Sequence, residues 1–351
     1  MKNTVAGLPQ VMDAAASVRT GSPFSLTKII FGVNLAVFAA MVLSGISLLQ
    51  PTTTQLVTWG ANWGPLSLGP QPWRMLTSNY LHIGIIHIFF NMWCLWNLGQ
   101  LAERIFDRWT YLLVYTATGI GGSLASLWWH PLTVGAGASG AIFGLAGALI
   151  AVLYLGKFPF AKAALKPTLK SLLAFAGYNL VFGLSAGVDN AAHLGGLATG
   201  LGLGAVLSMS ITGPPEIRRR WRNYAAVGTA LLLFVANGYL RQKTGKTDST
   251  ALVQDPIVAL NHGNFAQAIP SLKQAAERDP GSEPTRYLLG LAYVGAHQPD
   301  AAIASFQEAL RLKPDDPDAE AGLGLAYQAK GMHAEAEEAF RKAGELKHQA
   351  Q

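Results

Sequence analysis

The apolar runs of this sequence restrict its fold more than any other feature. Seven runs with few charges follow one another through the first 240 residues of the 351-residue chain. A helix needs about 20 apolar residues to cross a bilayer, and only helices and closed barrels satisfy every backbone polar group there. The sequence therefore predicts an all-α fold built on a polytopic membrane bundle. The predicted spans are 29–49, 80–98, 109–129, 136–155, 171–188, 191–211 and 224–240.

Charged residues divide the chain into two unlike regions. Residues 1–240 contain 14 Lys or Arg and 5 Asp or Glu, whereas residues 241–351 contain 12 and 15, which together give the chain totals of 26 and 20. The positive excess lies between the apolar runs and not in one patch, so it indicates membrane topology and no nucleic-acid partner is expected. The single cysteine, Cys94, cannot form an internal disulfide.

Lysine and arginine accumulate in alternate loops. Basic segments lie before span one and after spans two, four and six, and the other loops between spans have Arg74 as their only basic residue. Because basic loops stay on the cytoplasmic side, we predict a cytoplasmic N-terminus, and seven spans then place the C-terminal region outside a plasma or inner membrane. The basic residues are Lys2, Arg19, Lys28, Arg104, Arg108, Lys157, Lys162, Lys166, Lys170, Arg218, Arg219, Arg220 and Arg222.

A 34-residue repeat follows the last span. The sequence Leu-Gly-Leu-Ala-Tyr at 289–293 recurs at 323–327, and the same offset relates Phe306 to Phe340. A degenerate third copy begins near residue 249. The pattern resembles tetratricopeptide repeats, whose stacked helical hairpins form a concave surface for a peptide or protein partner. The alternative is that the repeats only form a stable cap on the membrane region.

Polar side chains enter the predicted bundle near one side of the membrane. Spans two, four and six run inward from the outer face, and their outer ends carry His82, His87 and Asn91, then Ser139, then His193. Such residues are costly in a membrane unless they pair or function. The arrangement predicts a serine nucleophile, Ser139, activated by a histidine base, His193. A transporter would instead carry polar residues through the full depth of the membrane.

Three N–H donors are predicted beside Ser139. His87 and Asn91 are one helical turn apart and therefore project from the same helix face. Ser139 lies near a helix start, where backbone N–H groups lack partners and the helix dipole favours an anion. Together these groups predict an oxyanion hole for a tetrahedral intermediate.

Two other interpretations of these residues stay open. A Gly-x-Ser-Gly sequence arises readily by chance in a glycine-rich chain, and Gly140 with Gly144 fits a small-residue helix contact. His82, His87 and His193 could instead bind zinc, although no carboxylate or thiolate within the membrane stands near them. We therefore predict no metal.

At this point the residues resemble the rhomboid family of intramembrane serine proteases over residues 27–211. The matching elements, in family order, are Trp73-Arg74, His82, His87-x-x-x-Asn91, Gly99-x-x-x-Glu103, Gly137-x-Ser139-Gly140 and Ala192-His193-x-x-Gly196-x-x-x-Gly200. The resemblance implies a Ser139–His193 dyad, an outer loop carrying Trp73 and Arg74 in a structural role, and a stabilising contact from Glu103 at the cytoplasmic end.

Two positions beside His193 depart from the family pattern or extend it. Phe143 stands where many members have tyrosine, and its ring can still pack on the His193 imidazole. Asp189, one turn before His193, would join the site only as the third member of a triad, whereas the family resemblance implies a dyad.

The resemblance implies an endopeptidase that cleaves transmembrane helices of membrane proteins near the outer face and needs no cofactor. The expected partners are those substrates, a peptide or protein bound by the repeats, and the lipid bilayer. The alternative is a catalytically inactive relative that captures transmembrane helices for quality control. The predicted organisation is a cytoplasmic tail (1–26), a six-span core (27–211), a basic loop with the seventh span (212–240) and an extracytoplasmic repeat domain (241–351).

Overall fold

The computed structural model describes residues 25–69, 71–159, 161–183, 188–247, 256–257, 259–260 and 263–349. Within these ranges every regular element is a helix, and an isolated β-bridge joins Asn62 to Gly135. The predicted all-α fold is therefore confirmed. Nearly all of the tail predicted for 1–26, and the predicted start of the first repeat near residue 249, lie outside the described residues.

A helix lies at each of the seven predicted spans, with short helices in the first long loop. The membrane region contains α1 (Leu26–Leu43), α2 (Thr53–Trp59), α3 (Gly64–Ser67), α4 (Arg74–Thr77), a 3₁₀ turn (Ser78–Tyr80), α5 (Gly84–Ile105), α6 (Arg108–Trp129), α7 (Ser139–Leu155), a 3₁₀ turn (Lys162–Leu165), α8 (Lys166–Phe182), α9 (Asn190–Ser208) and α10 (Pro215–Thr247). The repeat region contains α11 (Phe265–Arg278), α12 (Glu283–Gly295), α13 (Pro299–Leu312), α14 (Pro317–Lys330) and α15 (His333–Gln349).

Length and hydropathy select three of the described helices as able to cross a membrane, namely α1, α9 and the Pro215–Gln242 part of α10. A fourth candidate is the pair Arg74–Tyr80 and Gly84–Ile105, which bends by 91° at its break. The shorter α7 is also apolar but is buried by its neighbours. Only 11% of the apolar window of α10 is buried, so most of its side chains face outward.

The ends of α6 carry exposed tryptophans. Trp109 lies at its start, whereas Trp128 and Trp129 lie at its end, and each is more than half exposed. A helix rises about 1.5 Å per residue, so the backbone at these two ends is separated by ~30 Å along the helix axis, the thickness of a bilayer core. Tryptophan prefers the two membrane interfaces, which fits α6 as a span.

The helices alternate in direction between two ends of the bundle. One end is called the basic end because Arg104 and Arg108 lie there. At this end Glu103, in the last turn of α5, accepts hydrogen bonds from Ser25 Oγ (2.9 Å) and from the backbone N–H of Thr27 (3.0 Å) at the start of α1. At the other, here the Ser139 end, the backbone N–H of Ile85 donates to Leu48 O (2.8 Å). Helices α5, α7 and α9 therefore all begin at the Ser139 end.

Glycines bring α7 and α9 into backbone contact at the centre of the bundle. A Cβ added at Gly196 would overlap the carbonyl oxygen of Gly140, and one added at Gly200 would overlap that of Gly144. Apolar attraction between helices is weak in lipid, so close backbone approach supplies packing instead. The glycine spacing thus positions the start of α9 against the start of α7.

The repeat region packs phenylalanine against glycine. Phe306 is fully buried, and its ring lies where side chains on Gly290 and Gly322 would otherwise stand. Gly290 belongs to the same repeat and Gly322 to the next, so a single ring links two hairpins. One period later, Phe340 packs against Gly324 in the same way and stays 38% exposed.

Candidate active site

A glycine with positive φ shapes the loop that leads into α7. Gly137 has φ +140°, a conformation that L side chains rarely adopt, and its N–H donates to Ser78 O (2.9 Å). A Cβ at Gly137 would lie 2.7 Å from His87 Cε1 and 3.8 Å from Ser139 Oγ. Glycine is required here both by the backbone and by the close approach of His87.

Ser139 is the first residue of α7 and is half-buried. The backbone N–H groups of Ser139, Gly140 and Ala141 form no hydrogen bond to any described residue. These are the unpaired donors at the positive end of the helix dipole. The α7 start, predicted from sequence three residues earlier, therefore presents free N–H groups beside the Ser139 hydroxyl.

His193 is held against α7 in the first turn of α9. The Asp189 carboxylate caps α9 by accepting from the backbone N–H of Ala192 (2.9 Å), and an added Cβ on Gly122 of α6 would lie 2.8 Å from Ala192 O. His193 is buried, and its Nδ1 has no hydrogen-bond partner among the described residues. Asp189 therefore acts as a helix cap and makes no contact with Nδ1 of the kind a triad would need.

Phe143 connects the two helices through its ring. It lies one turn after Ser139 and stacks on His193, with ring centroids 4.3 Å apart and planes at 11°. Its other neighbour is Phe175 of α8, at 5.5 Å. The predicted packing of Phe143 on His193 is present. Among the described residues, no hydrogen bond joins Ser139 and His193; such bonds are often long before substrate binds.

The side chains of His87 and Asn91 lie on one face of α5, as their spacing predicts. His87 Nδ1 accepts from the backbone N–H of Ile83 (3.3 Å), so a neutral His87 carries its proton on Nε2. An added Cβ on Gly137 would lie 3.0 Å from that Nε2. Asn91 donates one amide N–H to His87 O (3.0 Å), which leaves its other amide N–H available. Of these two side chains, His87 borders the loop before Ser139.

His82 does not belong to the helix on which the sequence placed it. The predicted second span begins at residue 80, but α5 begins at Gly84, which has φ +82° and lies so close to Leu49 O that a side chain there would overlap it. His82 precedes this turn. It is fully buried, 5.4 Å from the ring of His87, and neither of its ring nitrogens has a partner among the described residues.

The remaining predicted residues lie away from Ser139 and support the surrounding structure. Arg74 donates from Nη1 to the carbonyl oxygens of Val57 (2.5 Å) and Ala61 (3.2 Å), which secures the end of α2. The Trp73 ring packs against Arg74, 4.9 Å from its guanidinium carbon, and is half exposed. Glu103 binds the start of α1 at the basic end, as described above.

The sequence did not reveal the loop contacts that hold the approach to Ser139. Asn62 and Gly135 exchange backbone hydrogen bonds (2.9 and 2.8 Å), the N–H of Gly64 donates to Pro131 O (2.8 Å), and Trp63 Nε1 donates to Leu132 O (3.2 Å). These residues are far apart in the chain, and no local spacing links them. The first loop thus fixes the loop that precedes α7.

Three family models match segments of this chain. The Rhomboid domain matches residues 69–210, and tetratricopeptide repeats match residues 259–304 and 287–347. Rhomboid protease GluP of Bacillus subtilis (strain 168) is 30% identical over 320 residues, which is 90% of this chain and 60% of that protein. Rhomboid protease AarA of Providencia stuartii is 32% identical over 231 residues, 58% of this chain and 80% of that protein.

Among solved structures, MamA MSR-1 is matched with a TM-score of 0.29 and 22% identity, over 44% of this chain and 79% of that one. The chain spans 60%, 62% and 57% of the lengths of the first three curated relatives that it matches.

The fold and the matched segments define a multi-pass membrane protein with a helical repeat region. The chain belongs to the rhomboid family and carries tetratricopeptide repeats.

Proposed function

We propose that this chain is an intramembrane serine endopeptidase with Ser139 as nucleophile and His193 as general base. The observation that carries the proposal is the stacking of Phe143 on His193 at 4.3 Å, because Phe143 lies one turn after Ser139 on the same helix. Membership of the rhomboid family supports the same reaction class. Ser139 begins a helix with free N–H groups, and His193 lies in the first turn of the helix packed against it.

In this mechanism His193 accepts the Ser139 proton as Oγ attacks the peptide carbonyl. His193 Nδ1 is buried, so Nε2 is the nitrogen that serves Ser139. The backbone N–H of Ser139, Nε2–H of His87 and the free amide N–H of Asn91 stabilise the oxyanion. His193 then gives its proton to the leaving amine. Water next loses a proton to His193 and attacks the acyl-enzyme, and His193 returns that proton to Ser139 Oγ as the ester bond breaks.

The proposed substrates are membrane proteins whose transmembrane helices are cut near the outer face. The basic end of the bundle holds Arg104, Arg108 and the arginines at the start of α10, and we assign it to the cytoplasm. The Ser139 end then faces outward. Arg241 near the end of α10 donates to Gly69 O (2.9 Å) in the first outer loop, which supports an outer location for the repeats. There the repeats would recruit substrates or partners.

Labelling with a fluorophosphonate probe in detergent tests the proposal. We expect wild type to label, and Ser139→Ala and His193→Ala to lose labelling and cleavage of a single-span substrate by about 10³-fold or more. Ser171→Ala is the matched control, because Ser171 is exposed near the basic end, where its hydroxyl donates to Pro167 O (3.1 Å). Equal labelling of wild type and Ser139→Ala would refute the nucleophile assignment.

A further inference from the structure

The repeat region contacts the first outer loop through a small polar cluster. Thr53, in the first turn of α2, donates from Oγ1 to Glu283 Oε2 (3.3 Å) and accepts from Lys313 Nζ (3.4 Å). Lys313 also pairs with Asp316 Oδ2 at 3.0 Å. Glu283 begins α12 and Asp316 caps α14, so these residues form the rim of the repeat region at the starts of adjacent helices.

A continuous apolar cluster extends the contact beyond this polar rim. It joins Trp63 and Leu132 of the membrane region with Leu272, Leu289 and other buried residues of the repeats. Trp63 is 4% exposed and Leu132 is completely buried. Large side chains on outer loops are seldom buried this deeply unless another unit covers them. The repeats therefore cover the loops at the Ser139 end.

The covered loops lead directly into the candidate nucleophile. Four hydrogen bonds tie residues 62–64 to residues 131–135, and Gly137 then turns the chain into Ser139. Displacement of the first loop would therefore displace the turn that positions Ser139 and its free N–H groups.

We propose that the tetratricopeptide array docks on the outer loops through Thr53, Glu283 and Lys313 and thereby holds the loop that leads into Ser139. The partner of this rim is thus a segment of the same chain. The array then does more than recruit: a ligand that shifts it also shifts the approach to Ser139. The effect on proteolysis rests on the function proposed above, whereas the docking does not.

Cross-linking in native membranes tests the docking. The single native cysteine is replaced by Cys94→Ala, and Thr53→Cys is combined with Glu283→Cys and treated with a short bismaleimide. The control pair combines Thr53→Cys with Glu338→Cys, an exposed position on α15. We expect an intramolecular cross-link in the first pair and little in the control. Equal yields in both pairs would overturn the docking.

Hydrogen exchange of the full chain tests whether docking holds the loop. Thr53→Asp places a third carboxylate beside Glu283 and Asp316, with Lys313 as the shared ammonium. We expect exchange to rise about fivefold or more both at the start of α12 and in residues 130–138, as for a lost hydrogen-bonded contact. Thr212→Asp, an exposed residue at the basic end, is the matched control and should change neither segment.

Two outcomes of the exchange experiment would overturn the proposal. In one, α12 exchanges faster while residues 130–138 stay unchanged, so that docking exists without holding the loop. In the other, neither segment responds to Thr53→Asp. Probe labelling of Ser139 is a separate readout: wild type that docks but never labels would refute the proposed protease and leave the docking intact.

Discussion

The bundle and the repeat array both depend on glycine but use it in different ways. In the bundle, Gly196 and Gly200 admit the backbone of the neighbouring helix, whereas in the array Gly290 and Gly322 admit the ring of Phe306. Lipid gives two helices no reason to bury apolar side chains against each other, so backbone contact is the available gain. In water, burial of one large ring contributes far more. The same residue type therefore marks two kinds of packing.

The outer surfaces differ for the same reason. Exposed residues of α10 include Val227, Leu232 and Phe234, each more than 60% exposed. Exposed residues of α15 instead form ion pairs, with Arg341 between Glu338 and Glu345. Each region thus presents to its surroundings the chemistry that those surroundings solvate.

Removal of the ring between the hairpins should have the largest effect. Phe306→Ala leaves a cavity bordered by two glycines and should destabilise the array by about 3–5 kcal/mol. Phe340→Ala, at the same repeat position but 38% exposed, is the matched control and should cost clearly less. Thermal unfolding followed by circular dichroism measures both variants. Equal costs would contradict the two-sided packing of Phe306.

Addition of a methyl group to a packed glycine of the bundle should have the second-largest effect on stability. Gly196→Ala forces a Cβ into the Gly140 carbonyl and should cost about 1–3 kcal/mol. Gly202→Ala on the same helix meets no atom within 4 Å and is the control. Reactivity of the half-buried Cys94 toward a thiol reagent during heating in detergent reports on bundle opening. Tolerance of Gly196→Ala would refute backbone contact as the packing principle.

Loss of an ion pair should have a smaller effect, and it should differ between the bundle and the array. Arg222 pairs with Asp107 at 3.2 Å, and both side chains are largely covered. Arg222→Met should cost about 1 kcal/mol in the bundle, because Asp107 keeps its caps on the Trp109 and Thr110 N–H groups. Arg311→Met breaks an exposed pair with Glu308 in the array and should leave its melting unchanged. A loss only in the array variant would reverse this ranking.

Sequence patterns predicted the features that depend on local periodicity. The apolar runs placed helices at all seven spans, and the 34-residue offset placed the hairpins of the array, because both signals repeat along the chain. The grouping of Ser139 and His193 at one end followed from alternating helix direction. Their catalytic roles stay predictions.

Features that depend on long-range contacts were not predicted. Helix α5, which corresponds to the second predicted span, starts only at Gly84, where the backbone packs against Leu49 O, and this leaves His82 outside the helix. Asp189 becomes a cap only once α9 starts at Asn190. The Asn62–Gly135 bridge and the Thr53–Glu283 contact join segments 73 and 230 residues apart, and no spacing rule connects them.

The smallest effect should be a pH dependence at the contact between the two regions. Burial, and then the neighbouring Asp316 carboxylate, raise the pKa of Glu283 from 4.5 to about 7, while Lys313 and Thr53 oppose the rise and Asp318 adds to it. An acid whose pKa is raised in the docked state favours docking when protonated. Docking is then strongest below pH 4.5 and weakens as pH rises through about 7.

The cross-linking assay can measure this pH dependence with a pair that keeps Glu283. Thr53→Cys with Lys313→Cys, in the Cys94→Ala background, should cross-link less as the pH rises, over a window displaced to higher pH because both groups that oppose the rise in the Glu283 pKa are removed. Adding Glu283→Gln, which cannot ionise, should hold docking at its low-pH level at every pH. Comparison with Glu283→Gln cancels the pH dependence of the maleimide reaction itself. Docking depends on pH only through the part of the Glu283 burial that docking itself adds, because the rest is present in the undocked array as well. The expected effect is therefore modest. An identical pH profile with and without Glu283→Gln would show that ionisation of Glu283 has no part in joining the array to the bundle.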